Sequence, residues 1–486
     1  MNRTAQSHQP LWHTVALFFG TAIVALASGC TVGPDYKQST TPIAPAWMGT
    51  DPAIRGTRGT VSVVTTEAAT ISRWWEQFND PALTTLVQRA ADENLDVAAA
   101  QARVREARAT RDAASAGLAP QVNTTGFATR SRSKQGGTGN LFRAGFDSAW
   151  EIDVFGGIRR GVEAADAQTR SAVEDARDVR VTVIGEVATT YCELRGAQRS
   201  LEFALKNLET QRNSLDVTSQ RYGAGFVGGL DVANARAQVA STESRIPAIE
   251  SQIRALTYAL GVLVGREPGE LTTELAAHAD IPTPPATVPV GLPSDLLRRR
   301  PDIRRAEENI HAATARVGVA TADLYPKFSI SGSLGAQSGN IEGLGSLANR
   351  YWSFGPSVNW PLLDGGRIRA NIRLQEALAD ETGIAYKRTV LLALQDVETS
   401  LVSFGKEQER RASLVESVDA NRKAVELANI LYTAGKTDFL NVLNVQRSLL
   451  DAEDQLVKST TLISTNLVAV YKAIGGGWEE DLPQRR

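Results

Sequence analysis

Three stretches of the chain alternate apolar and polar side chains with a period of two. In 142–154, Phe142, Ala144, Phe146, Ser148, Trp150, Ile152 and Val154 alternate with Arg143, Gly145, Asp147, Ala149, Glu151 and Asp153. In 328–334, Phe328, Ile330 and Leu334 alternate with Ser329, Ser331 and Ser333. In 352–362, Trp352, Phe354, Pro356, Val358, Trp360 and Leu362 alternate with Ser353, Gly355, Ser357 and Asn359. This period places each set on its own face of a strand. Strands are therefore expected over 141–154, 327–336 and 351–363. A fourth, 121–132, is less regular, with Val122 and Phe127 on opposite faces, and Pro356 lacks a ladder donor. Elsewhere the pattern is helical. Leu194, Leu201, Leu208, Leu215 and Tyr222 recur every seven residues, the period of a coiled coil. Helices are expected over 81–117, 157–221, 230–264, 294–323, 366–431 and 439–474, with Pro247 kinking the third. A run of about 65 residues is roughly 100 Å long, more than a globular core accommodates, so such helices must pack side by side.

The pattern occurs twice. RYGAGFVGGLDVANARAQV (221–239) aligns with LYTAGKTDFLNVLNVQRSL (431–449) at an offset of 210, pairing Tyr222 with Tyr432, Gly225 with Gly435, Leu230 with Leu440 and Asn234 with Asn444. Trp150 and Gly156-Gly157 match Trp360 and Gly365-Gly366; Leu118-Ala119-Pro120 matches Leu324-Tyr325-Pro326. The fold class is thus α+β, a tandem repeat of α-β-β-α units. Repeat 1 covers 81–280 and repeat 2 covers 294–474. The Pro-rich linker IPTPPATVPVGLP (281–293) joins them, and 475–486 forms a tail.

Four strands cannot close a barrel. Unsatisfied edge groups cost several kcal/mol each in lipid, and membrane barrels start at about eight strands. Two chains would supply eight strands with a side-chain-filled interior; three would supply twelve and a lumen. A soluble sheet with tryptophans in its core would share the alternation. Arg143, Asp147, Glu151 and Asp153 on the polar face fit a water-filled lumen instead. Phe142, Phe146, Trp150, Phe328, Ile330, Trp352, Phe354 and Trp360 would then face lipid. A coiled-coil rod would account for the helices but not for strands that recur in each repeat.

Residues 1–29 carry a basic start at Arg3, a short apolar run from Leu17 to Leu26, and Ala27-Ser28-Gly29 before Cys30. That is the grammar of a secretory signal, too short to span a bilayer. The stretch resembles a bacterial lipobox, with Ala27 where leucine is usual. The resemblance implies covalent lipid at Cys30, and Thr31 rather than aspartate after it favours the outer membrane. Residues 30–80 then form a lipidated N-terminal segment. Net charge is −2, which argues against a nucleic-acid partner. With Cys30 and Cys192 alone, no disulfide framework or zinc-ligand spacing exists. No phosphate loop, nucleophile elbow or metalloprotease motif occurs, and neither enzyme activity nor a cofactor is expected. Mid-helix Cys192 is read as a small packed residue.

LASGCTVGPDY (26–36), WWEQFNDPAL (74–83), LRRRPDIRRAE (297–307), the Gly-Gly after each second strand and RYGAGFVGGLDVANARAQ (221–238) together resemble the TolC family of outer-membrane channels, in its lipidated NodT branch. The resemblance covers Cys30 to about Gly475. It implies a homotrimer: a 12-stranded barrel in outer-membrane lipid, continued by a periplasmic helical barrel. It also implies docking to a periplasmic adaptor and an inner-membrane proton-driven transporter. The two helix-turn-helix tips, 221–234 and 431–444, would close the periplasmic mouth and meet the adaptor. Arg221, Tyr222, Gly225, Leu230, Asp231 and Asn234 lie on the first tip. Tyr432, Gly435, Asp438, Leu440, Asn441 and Asn444 lie on the second. The family often has aspartates where this chain has Asn441 and Asn444, so an acidic ring would rest on Asp231 and Asp438. As helix starts, the two amides also read as simple caps. The expected function is a passive exit duct of a tripartite efflux pump for drugs and other small molecules. The alternatives are an exit duct for type I protein secretion and a structural lipoprotein without a pore. Trp74 and Trp75 are expected to pack the equatorial belt that the resemblance implies, rather than to bind a ligand. Arg298, Arg299 and Arg300 would contact either a neighbour's acids or solvent.

Overall fold

The computed structural model describes residues 31–38, 42–51, 59, 62–67, 71–133 and 137–478. Its elements follow the repeat. Helices α1 (Pro81–Glu93) and α2 (Leu95–Ala116) lead into strands β2 (Gln121–Ser133) and β3 (Gly137–Ile152). Helices α3 (Gly157–Gly223) and α4 (Gly229–Leu263) complete repeat 1. Repeat 2 consists of α5 (Leu296–Arg299), α6 (Pro301–Ala322), β5 (Lys327–Ser338), β6 (Arg350–Asn359), α7 (Arg367–Thr433) and α8 (Phe439–Ala473). Helices α3 and α7 each have 67 residues, and α4 and α8 each have 35. A short parallel pair, β1 (Val63–Thr65) and β4 (Thr287–Pro289), ties the N-terminal segment to the inter-repeat linker.

Several boundaries differ from the sequence expectation, each for a local reason. The helix expected over 81–117 divides at Asn94, whose side chain accepts from the amides of Asp96 and Val97 and donates to the Leu263 carbonyl. The one expected over 294–323 divides at Arg300, because the residue before Pro301 is pushed to extended backbone. Helix α4 runs through Pro247.

The chain divides into two compact units. The first holds 104–172 and 305–386 with the N-terminal residues. Its centre is one antiparallel sheet in the order β2-β3-β5-β6. Residues 31–36 lie along the adjoining helices. Val32 donates its amide to the Phe155 carbonyl at 3.2 Å, and Arg160 reaches Asp35 at 2.6 Å. Tyr36 stacks on His311 at 4.4 Å and donates to Glu307 at 2.9 Å. Gly33, at φ +89°, passes so close to α6 that a Cβ would lie 2.4 Å from the Gly318 Cα. That close approach is what the Val-Gly-Pro-Asp-Tyr turn permits.

The second unit holds 41–103, 173–304 and 387–486. Coiled-coil seams form its core. On α3, Leu194 and Leu208 are buried, and so are Ala197, Ala204, Gln211 and Thr218 three places after each heptad leucine. On α7, Val390, Val397, Phe404, Val418, Val425 and Tyr432 are buried at multiples of seven. Cys192 is fully buried, and burial pushes its thiol well above the usual range. The WWEQFNDPAL motif is a packing block. Trp74 stacks on Tyr471 at 5.1 Å, and Asp80 caps α1 through the amides of Ala82 and Leu83.

Two residues of the arginine motif, Arg299 and Arg300, dock the chain's own Gly-Gly-Gly-Trp (475–478), while Arg298 is exposed. Arg300 donates to the Ala473 carbonyl, and the Arg299 carbonyl accepts from the Trp478 indole at 2.9 Å. The guanidinium groups of Arg177 and Arg304 lie 4.6 and 5.3 Å from the Trp478 ring. Buried Glu174 joins both arginines at 2.6 and 2.8 Å. Losing Trp478 removes apolar area and two cation–π contacts. Trp478→Ala is expected to lower stability in urea by about 2 kcal/mol while leaving helix content unchanged by circular dichroism.

Candidate functional site

Two regions carry the functional expectation: the faces of the four-stranded sheet in the first unit, and the two hairpin tips in the second. Strand register settles the faces. Thr124, Phe146, Leu334 and Trp352 lie in one cross-strand row. The same face carries Phe142, Trp150, Ile152, Phe328, Ile330, Phe354 and Val358. Phe146 is 58% exposed, Trp352 79% and Phe354 72%. These exposures are far beyond those of a core aromatic, so the face is apolar and uncovered in a single chain.

The opposite face is polar. Ser329 pairs with Ser357 through their hydroxyls at 2.8 Å, and Ser333 with Ser353 at 2.7 Å. Asp147 accepts from Thr125 at 2.6 Å and lies 3.6 Å from Arg143. Arg143 in turn donates to the Tyr351 hydroxyl at 2.7 Å, with its guanidinium 4.5 Å from that ring and 6.0 Å from Phe127. Gly145 and Gly335 oppose each other beneath Tyr351. A Cβ on either would fall within 2.8 Å of its hydroxyl. Tyr351 and Phe127 belong to this network although sequence reasoning assigned them no role. Extending the alternation of β6 back by one residue gives Tyr351 its face. Glu151 is exposed on the same face, opposite Ser329.

Three expected positions are corrected. Asp153, expected on the strand, lies past the end of β3. Its carboxylate accepts from the amides of Ile158 and Arg159 and pairs with the Arg159 side chain at 3.3 Å, so it serves the start of α3. Asp364 does the same for α7 through the amides of Ile368 and Gly366, which hold its carboxyl below the usual carboxylate range. Trp360 lies past the end of β6. The ladder stops at Lys327–Asn359 because the next partner is Pro326, which has no N–H to give. Leu362, also expected on the strand, lies beyond it. Both tryptophans still act alike: Trp150 donates its indole N–H to the Leu118 carbonyl and Trp360 to the Leu324 carbonyl, each at 3.0 Å. They sit at the helix end of the sheet, Trp150 half-buried and Trp360 exposed, each with its polar edge satisfied, as interfacial tryptophans are.

The tips repeat each other bond for bond. In the first, Gly225 at φ +80° donates to the Tyr222 carbonyl and Phe226 to that of Arg221. In the second, Gly435 at φ +70° donates to Tyr432 and Lys436 to Leu431. This is the Schellman closure, and its left-handed residue accounts for both glycines. The tips share a small core of Ala235, Ala428, Tyr432, Phe439, Val442 and Leu443. Tyr432 and Phe439 meet at 5.5 Å. Arg221 reaches from the first tip to the end of α7, donating to the carbonyls of Tyr432 at 2.8 Å and Thr433 at 3.1 Å. Its guanidinium lies 4.8 Å from the Tyr432 ring.

The remaining tip residues divide by exposure. Tyr222, Leu230 and Leu440 are exposed, and Asn234 is half-buried. Asp231 occupies the first turn of α4, where a carboxylate complements the helix dipole. Asp438 caps α8 by accepting from the Asn441 amide at 3.1 Å, while the Asn441 side chain donates to Thr437. The cap is therefore Asp438 rather than either asparagine; Asn441 supports it and Asn444 is exposed. Phe439, buried at the heart of the tip, was not singled out by its place in the repeat because its counterpart is Gly229. Cys30 lies outside the described residues.

The family profile for "Outer membrane efflux protein" matches residues 86–266 and 292–476, once per repeat. Nodulation protein T of Rhizobium leguminosarum bv. trifolii is 32% identical over 459 residues, covering 93% of this chain and 96% of that protein. The pyoverdine export outer membrane protein OpmQ of Pseudomonas putida is 33% identical over 425 residues, covering 85% and 90%. Among solved structures, the outer-membrane channel OprN superposes with a TM-score of 0.84 at 40% identity, covering 92% of this chain and all of that one. The open state of the Neisseria gonorrhoeae MtrE outer membrane channel superposes with a TM-score of 0.78 at 25% identity, covering 93% and 99%. With both repeats matched and the sheet and tips arranged as described, the chain belongs to the outer membrane efflux protein family.

Proposed function

We propose that three copies of the chain close a twelve-stranded barrel in the outer membrane and form the passive exit duct of a tripartite pump for small molecules. The observation that carries this is the sheet itself. It has an apolar exposed face, a polar face bearing Arg143, Asp147 and Glu151, and two edges, β2 and β6, with unpaired backbone groups. Pairing β6 of one copy with β2 of the next satisfies both edges. The polar faces then turn inward around water. Three copies leave a lumen, whereas two would fill it with side chains. Energy coupling falls to partners, a periplasmic adaptor and an inner-membrane proton-driven transporter. The duct itself carries no catalytic step.

The tips are the adaptor contacts and the gate. Arg221 is the latch within each copy: its charge sits at the negative end of the α7 dipole and donates to the Tyr432 and Thr433 carbonyls. Asp438 is committed to capping α8 and Asp231 to the start of α4, so the acidic ring is weak and cation block at the mouth is slight. The lipid on Cys30 anchors the segment that residues 31–36 hold against the base of the sheet. Each buried acyl CH₂ contributes about 0.8 kcal/mol, so two or more chains tether stably.

Two outcomes test this. Removing the charge-assisted bonds of Arg221 costs about 1.5–3 kcal/mol, so Arg221→Ala should raise open probability in planar bilayers at least about tenfold. Unchanged conductance would remove Arg221 from the gate, and likewise Tyr222 and Asp231 if their Phe and Ala variants conduct as the parent does. Mass spectrometry of the mature N-terminal peptide should find acyl chains on Cys30, and an unmodified peptide beginning elsewhere would exclude the anchor.

A further inference from the structure

The outward face of the sheet is apolar only along part of its length. From Ile152 to Phe142, about ten residues, β3 presents the lipid-facing set, which matches the span of a tilted membrane strand. Beyond Phe142 the character changes. The next rows on that face pair Arg130 with Asn140 and Arg132 with Thr138, and Ser338 stands opposite Phe142. On the other edge of the sheet, Arg350 occupies the same face one row past Trp352, opposite Ala336.

Register leaves no doubt about the side. Arg130 and Arg132 share the parity of Thr124, which lies directly opposite exposed Phe146. Arg143, by contrast, is on the polar face with Asp147. The acids of the strands, Asp147 and Glu151, also lie on the polar face. Among the described residues the outward face therefore holds three exposed arginines and no carboxylate, and none of the three arginines has an acidic partner. Helices join the sheet at the Gln121, Ile152, Lys327 and Asn359 ends. The arginines are at the opposite end, toward the hairpin turns. With the helices in the periplasm, that end meets the outer leaflet.

A guanidinium on a lipid-facing strand is costly at mid-bilayer and cheap at the interface, where it meets headgroups. An arginine fork also matches phosphate oxygens two at a time. We propose that Arg130, Arg132 and Arg350 form an outward basic belt that binds the phosphate groups of phosphorylated glycolipid in the outer leaflet. Closing the barrel places Arg350 of one copy on the strand beside β2 of the next, so the belt is continuous around the assembly. Asn140, Thr138 and Ser338 supply neutral hydrogen-bonding groups beside the charges. This proposal rests on the barrel reading above, because only there does this face meet lipid.

The test uses the full lipidated protein in neutral detergent, immobilised and titrated with diphosphorylated lipid A or its dephosphorylated counterpart. The diphosphorylated lipid should bind at least about tenfold tighter, and added salt should weaken it. Arg130→Gln/Arg132→Gln/Arg350→Gln should erase that preference while conducting normally in planar bilayers. Equal affinity for the two lipids, or an unchanged preference in the triple variant, would overturn the proposal. So would inorganic phosphate competing as well as the lipid at equal phosphate concentration, since the site would then read free phosphate. If the triple variant fails to assemble, the lipid comparison on the parent and on Arg132→Gln decides. A parent that binds neither lipid selectively yet conducts sinks the belt alone; a parent that never conducts sinks the duct.

Discussion

Backbone groups at the edge of a sheet must be paired wherever water is absent. In this chain four strands form one sheet, its two outermost strands are open, and one face is too apolar for water. No side-chain rearrangement within a single copy meets that demand. The missing partners must be other strands, and identical copies offer them at no cost in new sequence. The lumen, the polar lining and the membrane location all follow from that one requirement.

The repeat makes the solution economical. Helices of equal length, the same Schellman closure at both tips and the same tryptophan-to-carbonyl bond at both sheet ends recur between the halves. The halves also differ. The bonds of Arg221 to the opposite tip have no counterpart, because its equivalent is Leu431. Phe439 fills the tip core where repeat 1 has Gly229. Arg143 builds a polar-face network with Tyr351 that joins one repeat to the other across the sheet. The paired tryptophans pack as expected, and Arg299, Arg300 and Arg304 hold the segment that ends at Trp478 against the body of the chain.

Much of this was legible in the sequence because strand parity and heptad spacing are local. Phe146, Trp352 and Arg143 needed only a count of residues. What escaped depended on partners far away in the chain. Alternation carries on through Asp153 and Trp360, yet pairing stops earlier: Gly156 turns the chain into α3, and Pro326 withholds an N–H from β6. The reach of Arg221 needed the tips in place, since sequence alone cannot place a side chain against a carbonyl some 210 residues away, whereas Asp438 caps through an amide only three residues on, beside the two asparagines that read equally well as caps. The closeness of the Gly33 turn to Gly318 likewise depends on a helix of repeat 2, far along the chain.

The central claim is that one copy is incomplete as a membrane wall. The direct measurement is the mass of the assembly extracted from outer membranes in mild detergent, with bound detergent subtracted. Three chains per particle, with Phe146 and Trp352 accessible only to lipid-soluble quenchers, is the predicted result. A monodisperse, water-soluble single chain with those aromatics shielded from every quencher would contradict it.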